Sequence, residues 1–337
     1  MVQISLNRKG SKLSSQNGTG AVAIGYYLKR LLREQTLIVI FIFVIIGMGL
    51  SSSVFLTTRN LLNILLQTSM VGIMACGMTM LILMADIDLS VGSVGALAGI
   101  IAAKLQVQQD WNTLPAVIIA LMICFALGIL MGVIVAKLGV HSFVATLGLL
   151  SVARGFALIF SNANPISGLN DSFNFLGQGK ILTLPFPVLL MLLIFAVTWF
   201  FLNQTRFGRG LYSIGGNKEA ARLSGIPVDR YRILVFGVCS TLAGLSGIIL
   251  AGRVNSGQPI AMQDTNLDVI ASVIIGGTSL FGGRGGIGKT LLGTLILGVL
   301  RNGLNLIGVT PYWQKVFIGF LIVVTVVLDR IQHRHEA

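Results

Sequence analysis

From residue 36 almost to its end, the chain keeps returning to apolar runs long enough to cross a bilayer, with short polar intervals between them. Such a chain cannot fold around a water-soluble core: of its 337 residues 54% are hydrophobic and only 10% charged, too few to coat one. The mean hydropathy of +0.88 agrees. In lipid every backbone polar group must find its partner inside the protein, which leaves helices as the spanning element for runs of this length. The expectation is an all-α, polytopic helical membrane protein with one integral domain, residues 36–329.

The runs fall at 36–56, 61–85, a continuation to 103, 115–136, 143–160, 186–202, 233–251, 267–280, 290–306 and 316–328. That makes about ten transmembrane helices. Charge sets their orientation. Six of the 24 Lys and Arg precede residue 35, six lie in 205–232, and Arg330 and Arg334 lie in the last segment. The positive-inside rule makes all three segments cytoplasmic, which requires an even number of spans on either side of 205–232, here six and four. An N-terminal tail (1–35), basic and amphipathic around 26–33, lies along the inner surface, and 330–337 forms a second tail at the same membrane lipid. The polar residues ahead of the first run argue for a retained span rather than a cleaved signal.

A net charge of +13 confined to membrane edges, without an interleaved aromatic platform, excludes nucleic acid as a partner. Cys76, Cys124 and Cys239 all sit inside apolar runs and pack there as small residues. His141, His333 and His335 are the only histidines, so no metal or proton relay is built on that residue. No nucleophile has a base and an orienting group beside it, and the chain is not expected to be an enzyme. Gly283 to Thr290 matches the letters G-x-x-x-x-G-K-T, but a phosphate loop needs a preceding strand and a magnesium-holding carboxylate. A glycine turn between helices explains these letters better, and Leu223-Ser224-Gly225, followed by Ile226-Pro227, likewise fails to continue as an ATPase signature.

Two apolar stretches are interrupted. Asp86, Asp88 and Ser90, with Gly92 and Gly95, break the first; Gly276-Gly277 and the glycines from Gly282 to Gly288 break the second. A broken or re-entrant helix is the physical expectation at each, and their comparable positions hint at an internal repeat. Asp88 and Ser90 are placed to cap a helix starting near Leu89, with Asp86 and Asp88 as alternative contacts in a central cavity. Asp268 fits a helix cap near an interface or a pathway residue. Asn302 and Asn305, with Gln314, Asn162 and Asn164, offer amides that suit a neutral polyol or interhelical bonding. The pairs Gly95 with Gly99 and Gly128 with Gly132 favour close helix packing. Residues 161–180 are expected to be a loop.

The interval 205–232 is the one sizeable polar segment between spans. Within it, 217–227 reads as a short capped helix: Asn217 as N-cap, Glu219 at the positive end, Gly225 closing, Pro227 blocking continuation. Glu219-Ala220-Ala221 followed by Gly225 resembles the E-A-A-x-x-x-G loop of ATP-binding-cassette (ABC) import permeases. Its neighbours Thr205-Arg206-Phe207-Gly208-Arg209, Ile214-Gly215-Gly216-Asn217 and Leu223-Ser224-Gly225-Ile226 are similar to the ribose, xylose and galactose permeases of the branched-chain amino acid/sugar permease superfamily. So are Ile87-Asp88-Leu89-Ser90-Val91-Gly92-Ser93, although Met84-Ala85-Asp86 stands where Gly-Gly is usual, and Asn266-Leu267-Asp268, where Glu-Leu-Asp is usual.

The resemblance implies a permease subunit of an ABC importer moving a monosaccharide, ribose first among them, across the inner membrane. It implies three partners: an ABC ATPase that docks on Gly215, Gly216, Asn217, Glu219, Ala220, Ala221 and Gly225, a periplasmic or surface-tethered sugar-binding protein, and a second permease copy. ATP and magnesium belong to the ATPase, and this chain carries no cofactor. The rival from another class is a secondary transporter that uses Asp86, Asp88 or Asp268 as an ion or proton site.

Overall fold

The computed structural model describes residues 36–334. The expectations for the N-terminal tail, and for the side chains of His333 and His335, lie outside the described residues. The described chain is overwhelmingly helical. In order it runs α1 (Thr36–Ser51), α2 (Thr58–Leu83), α3 (Val91–Gln108), α4 (Thr113–Lys137) and α5 (Ser142–Ser161). Then come β1 (Ile166–Ser167), α6 (Asp171–Gln178), β2 (Lys180–Ile181), β3 (Leu184–Pro185), α7 (Phe186–Gln204), α8 (Arg206–Gly216) and α9 (Lys218–Leu223). The remainder is α10 (Val228–Val254), β4 (Ser256–Gly257), α11 (Thr265–Ile275), α12 (Ile287–Leu306) and α13 (Pro311–Arg334).

Six of these helices, α2, α3, α4, α5, α7 and α10, are long and apolar enough to cross a membrane, and shorter apolar helices lie at Leu37–Ser51, Thr265–Ile275 and Pro311–Val327. The protein is thus an all-α, multi-pass chain. The longest strands are two residues each; β1 pairs antiparallel with β4, bringing Ile166 opposite Gly257, and β2 pairs with β3.

Depth in the bundle follows polarity. Helices α2, α3 and α10 are largely buried, whereas α4, α5 and α7 keep most of their surface outward. The outward set carries Leu114, Ile118, Met122, Phe143, Val144, Leu193 and Phe200 as exposed side chains, which is what a lipid-facing surface requires. The inner set carries most of the closely packed glycines, because lipid supplies no hydrophobic drive between helices and close packing must supply contact instead.

Helix α10 is the axis of this packing, lying against α2, α3, α4 and α6. Gly247 is set so near the backbone of Gly95 on α3 that a β-carbon would collide with its carbonyl, and Gly99 packs on Gly247 in turn. On α4, Gly128 meets Phe236 and Gly237, and Gly132 meets Ile233. The small-residue pairs singled out from the sequence are therefore both contact points on one helix. The cysteines join in the same way: Cys239 fills against Gly77 and Cys124 against Gly244, all three thiols being free and buried.

Several boundaries differ from expectation. The 161–180 interval is not a plain loop, since Asn170 caps the helix α6 by accepting the N–H of Phe173 at 2.9 Å. Helix α10 begins at Val228, inside the interval expected to be loop, because Pro227 provides a helix start for which no preceding N–H is needed. The run expected at 267–280 shortens to the eleven residues of α11, ended by Gly276 and the left-handed Gly277 at φ +77°. Helix α13 continues through Arg330 to Arg334, into the expected tail.

Gly247→Ala should therefore destabilise the folded protein by about 3 kcal/mol, the upper end of overpacking costs. Gly148→Ala, where a β-carbon meets open space on α5, should stabilise by about 0.5–1 kcal/mol through helix propensity. Thermal midpoints of the two variants in detergent check the opposite signs.

Candidate functional site

The polar interval 205–232 folds into two short helices and the start of a third. Thr205 opens α8 by accepting the N–H of Gly208 at 3.3 Å. The helix then buries Gly208, Gly210, Leu211 and Ile214 while Arg206 and Arg209 face outward. Four glycines in eleven residues give this helix low intrinsic propensity, which hid it in the sequence although Phe207, Leu211 and Ile214 keep a helical period. Tyr212, its phenol raised by burial above the usual range, stays protonated and donates to the Gly285 carbonyl at 3.2 Å.

The capped helix 217–227 is present as α9. Asn217 Oδ1 accepts the N–H of Ala220 at 2.9 Å, and Glu219 stands in the first turn. The far end closes with Gly225 in the left-handed region (φ +82°), its N–H on Arg222 O at 3.0 Å and that of Ile226 on Ala221 O at 3.1 Å. This pair of bonds is the Schellman closure that an αL glycine permits. Ala221 packs inward, whereas Leu223 is 89% exposed at the tip. An apolar tip on a rigidly capped six-residue helix, with small Ala220 exposed beside it, is the shape of a docking element. Arg222 lies 3.6 Å from Glu219 and 3.4 Å from Asp229, and Lys137 lies 3.2 Å from Asp229, which ties α9 to the ends of α4 and α10.

Beneath this element lie both helix breaks, brought together in space. Helix α2 stops at Leu83, and Ala85 takes φ +60°. Asp86 then forms a two-pronged pair with Arg232, Nε to Oδ2 at 2.7 Å and the terminal nitrogen to Oδ1 at 2.6 Å, while Arg232 also donates to Val135 O at 3.2 Å. The freed N–H groups of Ile87 and Leu89 bond Ser142 Oγ at 3.3 Å and Thr146 Oγ1 at 3.1 Å, both on the first turns of α5. The second break, between α11 and α12, turns on Gly282 and Gly283 at φ +84° and +71°. Gly283 donates its N–H to Leu83 O at 2.9 Å, and Gly215 of α8 is pressed onto the same Leu83 carbonyl and the same Gly283 nitrogen. The hydroxyls of Thr79 and Thr290 meet at 2.9 Å just above this junction.

The remaining sequence candidates divide. Asp88 and Ser90 stand at the first break, but the helix begins at Val91 rather than near Leu89, and Ser90 makes no side-chain cap. Instead Asp88 Oδ1 accepts both the N–H of Ser90 at 2.8 Å and its hydroxyl at 2.5 Å, because the turn brings both donors to one oxygen. Asp268 is not a cap either: Asp264 holds the cap position of α11, and Asp268, in its first turn, pairs with Arg301 at 2.6 Å. Asn302 exchanges amide bonds with Asn60 at 2.8 and 3.0 Å, and Asn305 accepts from Gln314 at 2.7 Å. Asn60 and Leu83 stand at opposite ends of α2, about 35 Å apart by helical rise, so these amides belong to the face away from α9. Arg232, Arg301, Ser142 and Thr146 went unlisted in the sequence reading. Arg301, a lone cation inside an apolar run, was the available signal, since a carboxylate at depth requires such a partner.

The family described as branched-chain amino acid transport system / permease component matches residues 60–326. The chain is 44% identical over 308 residues to the ribose import permease protein of Escherichia coli (strain K12), covering 90% of this chain and 96% of that one. It is 43% identical to the ribose import permease protein of Bacillus subtilis (strain 168), covering 86% and 90%. The D-allose transport system permease protein of Escherichia coli (strain K12) is 38% identical, covering 88% and 91%. No solved structure matches the chain.

Removing either partner of the buried pair, by Asp86→Ala or Arg232→Ala, should cost about 3–5 kcal/mol, whereas Asp86→Leu combined with Arg232→Met should cost less than either alone. Thermal midpoints of the three variants in detergent test this. A double variant as unstable as the two singles combined would show that the pair is not coupled.

Proposed function

We propose, on the premise that this chain belongs to the family of branched-chain amino acid transport system permease components, that its cargo is a monosaccharide, with D-ribose the first candidate. The chain is the membrane-spanning permease subunit of an ABC importer, and ATP hydrolysis is the work of a separate ATPase. An ATPase and a substrate-binding protein are its partners in import. The observation that carries the working mechanism is the junction at Leu83. An exposed, capped helix is tied through Gly215 and Arg232 to both breaks in the membrane helices.

In this reading α9 is the ATPase dock, with Glu219, Ala220 and Leu223 at the contact and Asn217 and Gly225 fixing its shape. Closure of the ATPase around ATP and magnesium, neither held by this chain, presses α9 inward. The load passes along α8, through Gly215 and Gly216, to the Leu83–Gly283 contact, and through Arg232 to Asp86. Helices α2 and α3 on one side and α11 and α12 on the other then rock between outward- and inward-facing arrangements. Asp88 and Ser90 keep the first break in shape, Asp268 faces the pathway, and the Asn60–Asn302 and Asn305–Gln314 amides clasp the outer end.

Helices α1 to α5, α7, α10, α12 and α13, together with the segment 258–275 that ends in the shorter helix α11, serve as ten crossings. Even parity then puts both termini on the side of α9, the cytoplasmic face of the inner membrane, where the basic segments meet anionic lipid. Two copies form the pathway, and the sugar-binding protein delivers from the opposite face. Ion coupling through Asp86 or Asp268 is disfavoured because each already holds a guanidinium.

The test is uptake into proteoliposomes holding this permease, its ATPase and its binding protein, with ribose, xylose and galactose supplied in turn. Glu219→Ala and Gly225→Val should each cut ATP-driven uptake about tenfold, equivalent to about 1.4 kcal/mol of lost coupling, while membrane insertion persists. Full uptake by both variants would sink the docking role, and uptake driven by a proton gradient without ATP would sink the importer.

A further inference from the structure

A cavity of about 70 Å³ opens between α2, α11 and α12, lined by Gln67, Thr68, Asp268, Thr294, Gly298 and Arg301. It sits at depth. Thr68 is ten residues along α2, about 15 Å from its start, and Arg301 is fourteen residues along α12, about 21 Å from its start. Asp268 belongs to the first turn of α11, which at eleven residues is about 17 Å long and so spans only part of the membrane. A discontinuous helix that starts at mid-depth beside a polar cavity is the arrangement that membrane carriers use to hold solutes.

The groups around the cavity have capacity to spare. Asp268 commits Oδ1 to Arg301 at 2.6 Å, and among the described residues nothing engages its Oδ2. Arg301 Nε is buried without a hydrogen-bond partner. Gln67 spends one amide hydrogen on Asn63 at 3.1 Å, leaving its other hydrogen and its carbonyl oxygen. Thr68 and Thr294 donate to Ile64 O and Thr290 O in their own helices, at 2.6 and 2.8 Å, and keep their oxygens as acceptors.

The balance of these groups defines the ligand. Carboxylate and guanidinium cancel, so neither a cation nor an anion is favoured over a neutral solute. The lining offers both donors and acceptors beside the apolar Val71 and Leu297, which suits hydroxyls carried on carbon, since each hydroxyl both donates and accepts. Liquid water occupies about 30 Å³ per molecule, so the cavity takes about two oxygen atoms and cannot enclose a sugar ring. Resting on the importer reading above, we propose that this cavity is a subsite that reads two neighbouring hydroxyls of a monosaccharide in transit, with Gln67, Asp268 and Arg301 as the reading groups. The ring itself stays outside, in the pathway.

Saturation-transfer NMR with D-ribose on the permease–ATPase complex in nanodiscs, without binding protein, reads the subsite directly, and ATP-driven D-ribose uptake by the complete wild-type system is measured beside it. The wild type should transfer saturation most strongly to protons on two adjacent ring carbons. Gln67→Ala and Arg301→Lys should each weaken the signal about fivefold, as expected from one lost hydrogen bond. Gln67→Ala is decisive if Arg301→Lys disturbs α11, because among the described residues Gln67 bonds to Asn63 on its own helix and to no other element. Uptake by the wild type with no NMR signal, or a signal undiminished in Gln67→Ala, overturns the subsite and leaves the importer standing. Absence of wild-type uptake overturns the importer reading and the subsite with it.

Discussion

Leu83 ends its helix with a carbonyl whose regular donor, the N–H of Ile87 four residues on, has turned away to Ser142. Inside a membrane a bare carbonyl costs several kcal/mol, and here Gly283 covers it from the other half of the chain at 2.9 Å. Much of the architecture follows from that bond. It stitches the two helix breaks together, so neither can move without the other. It also requires glycine at 283, where φ is +71°, and brings Gly215 of α8 onto the same carbonyl. The polar element 205–232 and the two helix breaks thus share one backbone contact.

The same economy of space governs the bundle. Lipid tails are as apolar as leucine, so the helices gain nothing by hiding leucines from them. They gain contact by approaching at glycines, and α10 collects those approaches along one face from Ile233 to Gly247. Polar groups are then tolerated only where they complete one another. The pair Asp86–Arg232 ties the first break to α10, and the pairs Asp268–Arg301, Asn60–Asn302 and Thr79–Thr290 each join two different helices. These are interhelical fasteners spaced along the bundle, with the largest glycine turns beside them.

Legibility in the sequence divided along the same line. Helix α9 was readable to the residue, because Asn217, Glu219, Gly225 and Pro227 act on neighbours three or four positions away. Six of the expected spans were readable as long apolar helices because length and apolarity are local, although helix ends moved by several residues where glycine or proline decided them. What could not be read was pairing at a distance: Arg232 lies 146 residues from Asp86, and Gly283 lies 200 from Leu83. Helix α8 failed for a different reason, since four glycines in eleven residues make it a poor helix by propensity although Leu211 and Ile214 sit on its buried face.

The two carboxylate–guanidinium pairs bear on energetics beyond adhesion. A single charge carried across the full membrane potential exchanges about 2.3 kcal/mol per 100 mV. When Asp86 travels with Arg232, or Asp268 with Arg301, the displaced charge sums to zero. The field across the membrane would therefore do no net work on either pair translating as a unit.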